Sequence, residues 1–427
     1  MGVSVVAGPG LVADPRLLEE VAGAELAALG VPGRFTAVSG VAELRAALGA
    51  AGEGQALVVM PGPLPEARRL IGLVEDHSPR TVWLDLDRVG PIAAAGGAAH
   101  HQGRGVAGLI WAIRHAVHRL RWPPHRIPYG PHADQWAELR LPGDGPERYF
   151  VKAASWDNST LKDANPAHED TDAGERYASG ARGGSRRPPE GRAPVAVLVH
   201  GGFWRTIWGA DLMDALAIDL ARRGFASWNL EYRRPDLHGW QATTADVAVG
   251  VAALASVDAP LDLDRVALIG HSAGGQLALR AAADMAADTR GAAPGAVAGS
   301  AVGPASGRVR VALAVSLAGI LDLVEGERRR LSSGGVSDAL GGPPERIPEV
   351  YAAAGPMERL PLGVPQLVVQ GATDDLDLVD ISRRYAREAG EEASYLERPG
   401  DHWAVIDPHS PIWLLTAREL AARLSPR

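Results

Sequence analysis

A serine lies at the apex of a predicted sharp turn in the second half of the chain. Apolar residues 266–269 lead into this turn and helix-forming residues 276–280 follow it. The turn itself reads Gly270-His271-Ser272-Ala273-Gly274. A Cβ atom two positions to either side of the serine would clash with the flanking strand and helix, so a strained strand-to-helix turn needs glycine there. The spacing predicts Ser272 as a nucleophile.

An acid and a histidine that could activate this serine follow it in the chain. Asp374 comes after a predicted strand at 366–370, and His402 follows a predicted strand at 393–396. Serine, then acid, then histidine is the order expected for a triad built around such an elbow. We therefore expect His402 to take the proton of Ser272 and Asp374 to orient the imidazole. Asp375 and Asp377 remain alternatives for the acid.

Two adjacent glycines at the end of another predicted strand could hold an oxyanion. They follow the apolar run 195–199 in the sequence His200-Gly201-Gly202-Phe203-Trp204. Backbone N–H groups at such a strand end are free to point at one spot. We expect donors at Gly202, Phe203 and Ala273, with Gly201 as the near alternative. The complete set predicts acyl transfer through an acyl-enzyme, with no metal and no organic cofactor.

The first 122 residues alternate short apolar runs with segments of helical spacing. Predicted strands at 3–6, 35–38, 56–60 and 82–86 are separated by predicted helices at 17–29, 41–48 and 65–74. This alternation predicts a parallel sheet covered by helices. A helix at 106–120 ends in a basic cluster that complements its dipole, and Pro123-Pro124 ends the region. A metal site at His115 and His118 is the alternative, but no carboxylate lies near them in sequence.

The rest of the chain repeats the α/β pattern with three interruptions. Strands are predicted at 135–142, 195–199, 226–230, 266–269, 309–317, 366–370 and 393–396, with helices at 211–222, 244–255 and 414–424. Residues 143–194 are mostly charged and small, so we expect a flexible insertion, with a short strand at Phe150 and Val151 near its start. Residues 290–308 predict a mobile loop. Residues 323–362 predict a cap beside the cleft.

The composition bounds the class of protein. The chain has 427 residues, of which 46% are hydrophobic, and two or three domains are expected. It has no cysteine, which excludes disulfides, thiolate metal sites and a cysteine nucleophile. A net charge of −8 argues against a general nucleic-acid binder. No apolar run is long enough to span a membrane and the first residues lack the pattern of a signal peptide, so we expect a cytoplasmic protein.

Residues 126–427 resemble the α/β-hydrolase family, and within it the kynurenine formamidase and small-carboxylesterase branch. The resemblance is carried by His200-Gly201-Gly202-Phe203-Trp204-Arg205, Glu231-Tyr232-Arg233-Arg234, Gly270-His271-Ser272-Ala273-Gly274-Gly275, Gly371 to Asp374, and Asp401-His402-Trp403. It implies a connector and first hydrolase strand at 123–142 and a catalytic core at 195–427, with the triad roles given above. It also implies a small ester or formamide substrate. Trp204 would line the substrate pocket, or else belong to the core.

Residues 1–122 resemble type II 3-dehydroquinate dehydratases, which have a flavodoxin-like fold. The matching segments are Gly8-Pro9-Gly10-Leu11, Val58-Val59-Met60-Pro61-Gly62 and Ala99-His100-His101-Gln102. Met60 replaces the asparagine of the family, and Glu66 stands where a histidine is expected. Loss of the proton-abstracting groups predicts a degenerate domain kept for assembly, as in a homo-oligomer, or for small-molecule binding. The competing hypotheses are a non-catalytic scaffold that uses this domain and a residual dehydratase.

Overall fold

Two β-sheets of different size organise the protein. The computed structural model describes residues 2–86, 94–143, 191–289 and 308–424. The predicted insertion at 143–194, including Phe150 and Val151, and the predicted loop at 290–308 lie almost entirely outside the described residues.

The smaller sheet has five parallel strands in the order β2-β1-β3-β4-β5. Its strands are β1 (Gly2–Ala7), β2 (Gly33–Ala37), β3 (Gln55–Met60), β4 (Thr81–Asp85) and β5 (Ala99–Gln102). This is the strand order of flavodoxin-type doubly wound folds. The four predicted strands are confirmed. The fifth strand has the sequence Ala-His-His-Gln, which contains no apolar run and was therefore not predicted.

Helices cover both faces of this sheet. They are α1 (Pro15–Ala28), α2 (Val41–Gly49), α3 (Pro65–Arg68) and α4 (Gly108–Arg121). Buried residues of α1 and α4 pack on one face, and those of α2 and α3 pack on the other. The predicted helix at 65–74 was too long, because α3 ends at Arg68 and passes into a 3₁₀ turn, Arg69–Gly72.

The larger sheet has eight strands in the order β13-β12-β11-β10-β8-β9-β7-β6. The strands are β6 (His125–Pro128), β7 (Trp136–Arg140), β8 (Ala193–Val199), β9 (Ala226–Leu230), β10 (Leu261–His271), β11 (Val311–Leu317), β12 (Gln366–Gly371) and β13 (Ala393–Arg398). Strand β7 runs antiparallel to both of its neighbours, and the remaining pairs are parallel. The predicted, mostly parallel sheet is confirmed. Strand β6 was not predicted.

Nine helices among the described residues accompany this sheet. They are α5 (Asp214–Arg222), α6 (Pro235–His238), α7 (Trp240–Ala252), α8 (Ala273–Thr289), α9 (Leu323–Arg328), α10 (Gly335–Leu340), α11 (Pro348–Ala354), α12 (Leu376–Ala389) and α13 (Pro411–Leu424). Successive residues of β10 point to opposite faces of the sheet. Leu268 enters the core on the side of α7, α8 and α12, and Ile269 enters the core on the side of α5 and α13. None of the helices in the described parts of the chain is long and apolar enough to span a bilayer.

Helix α4 connects the two sheets through a buried polar contact. His115 Nδ1 lies 2.5 Å from Asp214 Oδ2 on α5, and Arg140 Nη2 lies 3.4 Å from the other oxygen of Asp214. Burial lowers the pKa of His118, one turn further along α4, to about 4. The C-terminal half of α4 therefore packs against α5, a helix of the larger sheet. There His115 contacts the carboxylate of Asp214, although no carboxylate lies near His115 in sequence.

Candidate active site

Ser272 sits in the turn between β10 and α8, at the carboxyl edge of the larger sheet. Its φ of 53° is in the left-handed region, where a non-glycine residue persists only if its surroundings hold it. Two contacts do so: its N–H donates to the carbonyl of Leu317 on β11 at 2.9 Å, and its carbonyl accepts from Gly275 at 2.9 Å. Ser272 is 2% exposed. The strand-turn-helix context that defines a nucleophile elbow is present.

The two glycines that flank Ser272 are required by close backbone contacts. A Cβ on Gly270 would lie 1.9 Å from the carbonyl oxygen of Gly274. A Cβ on Gly274 would lie 2.1 Å from the carbonyl oxygen of Val199 at the end of β8. Both distances are far inside van der Waals contact, so the elbow closes only with glycine at these positions.

The loop after β8 lies directly beside the serine. A Cβ on Gly201 would be 2.9 Å from the Cβ of Ser272. Gly202 has φ 111°, and Phe203 and Trp204 have φ 48° and 55°, so three successive residues have left-handed backbone. Ala273 begins α8, and the first N–H groups of a helix have no partner within it. The predicted oxyanion donors therefore belong to two backbone segments that meet at Ser272.

His402 and Asp374 form a direct hydrogen bond. The Nδ1 of His402 lies 2.9 Å from Asp374 Oδ2. Asp374 Oδ2 also accepts from the Gln370 amide at 2.9 Å, and Oδ1 accepts from the Asp375 N–H at 2.7 Å. Burial raises the pKa of Asp374, but these hydrogen bonds and the histidine outweigh it, so the pKa is lowered overall. An ionised Asp374 accepts Nδ1–H and leaves the lone pair of His402 on Nε2.

The two alternative acids have other partners. The Asp375 side chain accepts from the N–H of Asp377 at 2.8 Å and caps α12. Asp377 pairs with Arg329 at 2.9 Å. Of the three candidates, Asp374 is the one in contact with His402.

Packing between loops places the histidine against the elbow. A Cβ on Gly371, at the end of β12, would lie 2.3 Å from the carbonyl oxygen of Gly400, so the acid turn and the histidine loop are in backbone contact. His271, the neighbour of Ser272, points its Nε2 at the carbonyl oxygen of His402 at 3.1 Å. Burial lowers the pKa of His271 to about 3, so its ring is neutral and donates this hydrogen bond. The segments that carry the serine, acid and histidine are thus joined.

The segment Glu231–Arg234 supports the oxyanion loop from below. His200 Nε2 lies 3.0 Å from Glu231 Oε1, and the hydroxyl of Tyr232 donates to the His200 carbonyl at 2.7 Å. Arg234 forms a buried ion pair with Glu231. Burial raises the pKa of Glu231, but Arg234 and His200 outweigh it and lower the pKa to about 2. This charged side chain fixes the start of the loop that carries Gly201 and Gly202.

Trp204 packs inside the core. It is 1% exposed, its ring N–H donates to Gln276 Oε1 at 3.1 Å, and its ring meets Trp240 edge-on. The core alternative is thus satisfied in this structure, while a role in the substrate pocket stays a prediction. Phe203, one residue earlier, is only partly buried, and its Cδ1 lies 3.7 Å from the position of a Cβ on Gly335. The predicted cap segment therefore reaches the oxyanion loop through α10.

Sequence reasoning missed several residues that shape this site. Gln370, Gln276 and Trp208 each hold a predicted site residue or its loop in place. A polar residue at the end of the apolar run 367–369, as Gln370 is, is a signal that could have identified one of them. Trp208 had no such signal, because its partners come from distant parts of the chain.

Comparison with known sequences finds one family model and one curated esterase that match part of the chain. The BD-FAE family model matches residues 186–386, a span that includes Ser272 and Asp374 and ends before His402. The esterase LipC of Mycobacterium tuberculosis is 28% identical over 224 residues, which are 50% of this chain and 53% of that protein. The chain thus spans about half the length of the curated relative it matches.

Solved structures with similar folds include esterases. A truncated carbohydrate esterase from gut microbiota aligns with a TM-score of 0.51 at 14% identity, over 70% of this chain and 95% of that one. A bacterial heroin esterase aligns with a TM-score of 0.43 at 22% identity, over 55% of this chain and 75% of that one. The C-terminal part of the protein has the α/β-hydrolase fold, and a smaller parallel α/β domain precedes it.

Proposed function

We propose that this protein is a serine hydrolase that cleaves a small carboxylic ester or an aryl formamide through an acyl-enzyme. The observation that carries the proposal is the Asp374–His402 hydrogen bond at the sheet edge where Ser272 occupies a strained elbow. The BD-FAE match and the esterase relative support ester hydrolysis. The kynurenine formamidase branch is the finer assignment, and it rests on the sequence resemblance.

In the proposed mechanism His402 moves the proton. Its Nδ1–H is held by Asp374, so the lone pair on Nε2 takes the proton of Ser272 as the serine oxygen attacks the substrate carbonyl. The C–O or C–N bond to the leaving group then breaks, and the same proton passes to that group. Water repeats the sequence on the acyl-enzyme, which releases the acid and the free serine.

The oxyanion of each tetrahedral intermediate would be held by backbone N–H groups of Gly202, Phe203 and Ala273, with Gly201 as the alternative. The N-terminus of α8 adds a partial positive charge at the same place. Removal of one such donor costs about 2.7–4 kcal/mol of transition-state stabilisation in enzymes of this type. A loop with three successive left-handed residues would keep these donors aligned without reorganisation during the reaction.

Two substrates and one covalent probe test the proposal. We expect purified full-length protein to hydrolyse p-nitrophenyl acetate or N-formylkynurenine, and a fluorophosphonate to add once per chain at Ser272. Ser272→Ala should abolish labelling and lower kcat by about six orders of magnitude, since loss of the nucleophile removes the acyl-enzyme route.

Ser256→Ala is a matched control, because Ser256 is exposed in a 3₁₀ turn of the same domain. It should be labelled and active like the wild type. Absence of turnover on both substrates together with absence of labelling at Ser272 would refute the proposed function. The ratio of the two activities would separate an esterase from a formamidase.

For the N-terminal domain we propose a degenerate relative of type II dehydroquinate dehydratases. The five-stranded flavodoxin-type order supports the fold part of this proposal. On β4, the side chain that could act as a base is Asp85, and it is ion-paired with Arg68 and lies 2.9 Å from His100 in a hydrogen bond. A carboxylate held in this way is a poor proton acceptor. Formation of the enone product from 3-dehydroquinate would overturn this proposal.

A further inference from the structure

Three tryptophans from three separate segments meet beside the proposed active site. Trp111 lies on α4 of the N-terminal domain, Trp208 follows the oxyanion loop, and Trp403 is the residue after His402. Ring centroids are 6.1 Å apart for Trp111 and Trp208, 5.5 Å for Trp111 and Trp403, and 6.2 Å for Trp208 and Trp403. All three distances lie in the range of attractive aromatic pairs. We call these residues the tryptophan cluster.

Trp208 packs against the oxyanion loop. A Cβ on Gly202 would lie 2.3 Å from the Cβ of Trp208, so the tryptophan occupies the space next to this glycine. Two consecutive turns connect Gly202 to Trp208. The Trp208 N–H donates to the Arg205 carbonyl at 3.1 Å, and the Arg205 N–H donates to the Gly202 carbonyl at 3.0 Å. The strained backbone at Phe203 persists only where its surroundings over-determine it. Trp208 is part of those surroundings.

Trp403 packs against both histidines of the site. Its ring centroid is 5.7 Å from that of His402, in an edge-on arrangement, and 5.7 Å from that of His271. His271 in turn donates to the His402 carbonyl. The position of Trp403 therefore affects the loop that carries the proposed base.

The N-terminal domain reaches Trp208 a second time through Arg104. The guanidinium carbon of Arg104 lies 4.5 Å from the centroid of the Trp208 ring, within the range of a cation–π contact. Its Nε donates to the carbonyl of Ile207 at 2.6 Å, and its Nη2 donates to Asp211 at 2.8 Å. The Arg104 side chain is 3% exposed, so these charge-assisted hydrogen bonds are shielded from water.

We infer that the N-terminal domain positions the active-site loops of the C-terminal domain through Trp111 and Arg104. Trp111 contacts both other members of the cluster, one on the oxyanion side and one on the histidine side. Its loss would free both loops at once. Because a displacement of about 1 Å can lower turnover by about two orders of magnitude, small shifts of these loops are sufficient. Trp111 and Arg104 are positioning residues in this scheme, and the inference rests on the proposed function.

Steady-state kinetics of full-length variants tests the inference. We expect Trp111→Ala to lower kcat on p-nitrophenyl acetate by about 10- to 100-fold with a change of less than about threefold in KM, since the substrate carbonyl is still admitted but the donors and base are misaligned. The rate of fluorophosphonate labelling should fall by a similar factor. Trp111→Phe keeps an aromatic ring between the two loops and should recover most of the loss.

Trp122→Ala is the matched control, because Trp122 caps the same helix and its ring contacts His118 and Arg121. It should keep kcat within about twofold of the wild type. If Trp111→Ala does not fold, Arg104→Lys tests the inference instead. Lysine keeps the positive charge but loses the stacked, forked geometry of arginine, so this variant should also lower kcat.

Three results would overturn the inference while the proposed function stands. In the first, the wild type is active and Trp111→Ala folds but keeps the wild-type kcat. In the second, Trp122→Ala loses as much kcat as Trp111→Ala. In the third, Trp111→Phe has the same kcat as Trp111→Ala. An inactive wild type that is not labelled at Ser272 is a distinct result, since it refutes the proposed function itself.

Discussion

Replacement of Asp374 by asparagine should separate the charge of this residue from its shape. Asp374 accepts three hydrogen bonds, two at Oδ2 from His402 and Gln370 and one at Oδ1 from Asp375. An asparagine has a single acceptor oxygen, so in either orientation its NH₂ faces at least one of these donors. When the NH₂ faces His402, the ring must turn its lone pair toward it, and Nε2 then carries the hydrogen and cannot act as a base.

The magnitude follows from the geometry. Opposite charges about 4 Å apart interact by about 4 kcal/mol at an effective dielectric constant of about 20. The Asp374 side chain is 4% exposed and that of His402 is 22% exposed, so water screens the pair only in part, as this intermediate dielectric constant implies. About 4 kcal/mol corresponds to about a thousandfold in rate. The wrong tautomer adds to this loss, and we expect kcat of Asp374→Asn to fall by about 10³- to 10⁴-fold.

The assay is ester turnover with a neighbouring variant as control. Asp375→Asn removes the same charge one residue away, where the carboxylate caps α12. It should lower the stability by about 1 kcal/mol or less and leave kcat within about threefold. A fall of less than tenfold for Asp374→Asn, or an equal fall for Asp375→Asn, would refute our assignment of the acid.

Two further predictions concern stability. Gly274→Ala should prevent correct folding of the elbow, because its Cβ would lie 2.1 Å from the Val199 carbonyl oxygen. Gly23→Ala, on the exposed face of α1 where a Cβ meets nothing within 4 Å, should instead raise the free energy of unfolding by about 0.5–1 kcal/mol. Circular dichroism and thermal melts distinguish the two variants, and a folded Gly274→Ala would contradict the contact. Glu231 has its pKa lowered from 4.5 to about 2 in the folded state, so its stabilising effect is full above pH 4.5 and is lost as the pH falls toward 2. The difference in urea midpoint between wild type and Glu231→Gln should therefore be large at pH 7 and shrink steadily below pH 4.5, and a constant difference would show that the carboxylate charge is not its cause.

Local spacing identified the elements that carry the site. The elbow was visible because a Cβ at Gly270 or Gly274 would clash with the turn itself or with the neighbouring strand β8, so both positions require glycine. The strand before Asp374, β12, was visible because a buried parallel strand requires a run of apolar residues. The strand before His402, β13, is a half-buried edge strand, and it was visible through the short segment 393–396, which contains Tyr395 and Leu396. Short polar strands such as β5 and β6 were missed, since their residues carry no such pattern.

The sequence alone determined the fold class, the elbow and the order of the proposed triad, because these depend on glycine sterics and hydrophobic periodicity within a few residues. The tertiary structure alone decided which of three neighbouring aspartates contacts His402, since all three are acids at nearly the same position in the chain. It also decided what Arg104 and Trp111 contact. Arg104, just before α4, and Asp211 are 107 residues apart, and their ion pair joins the N-terminal domain to the larger sheet's domain. Polar and aromatic contacts over such a separation have no local pattern, because the partner is chosen by the packing of whole domains.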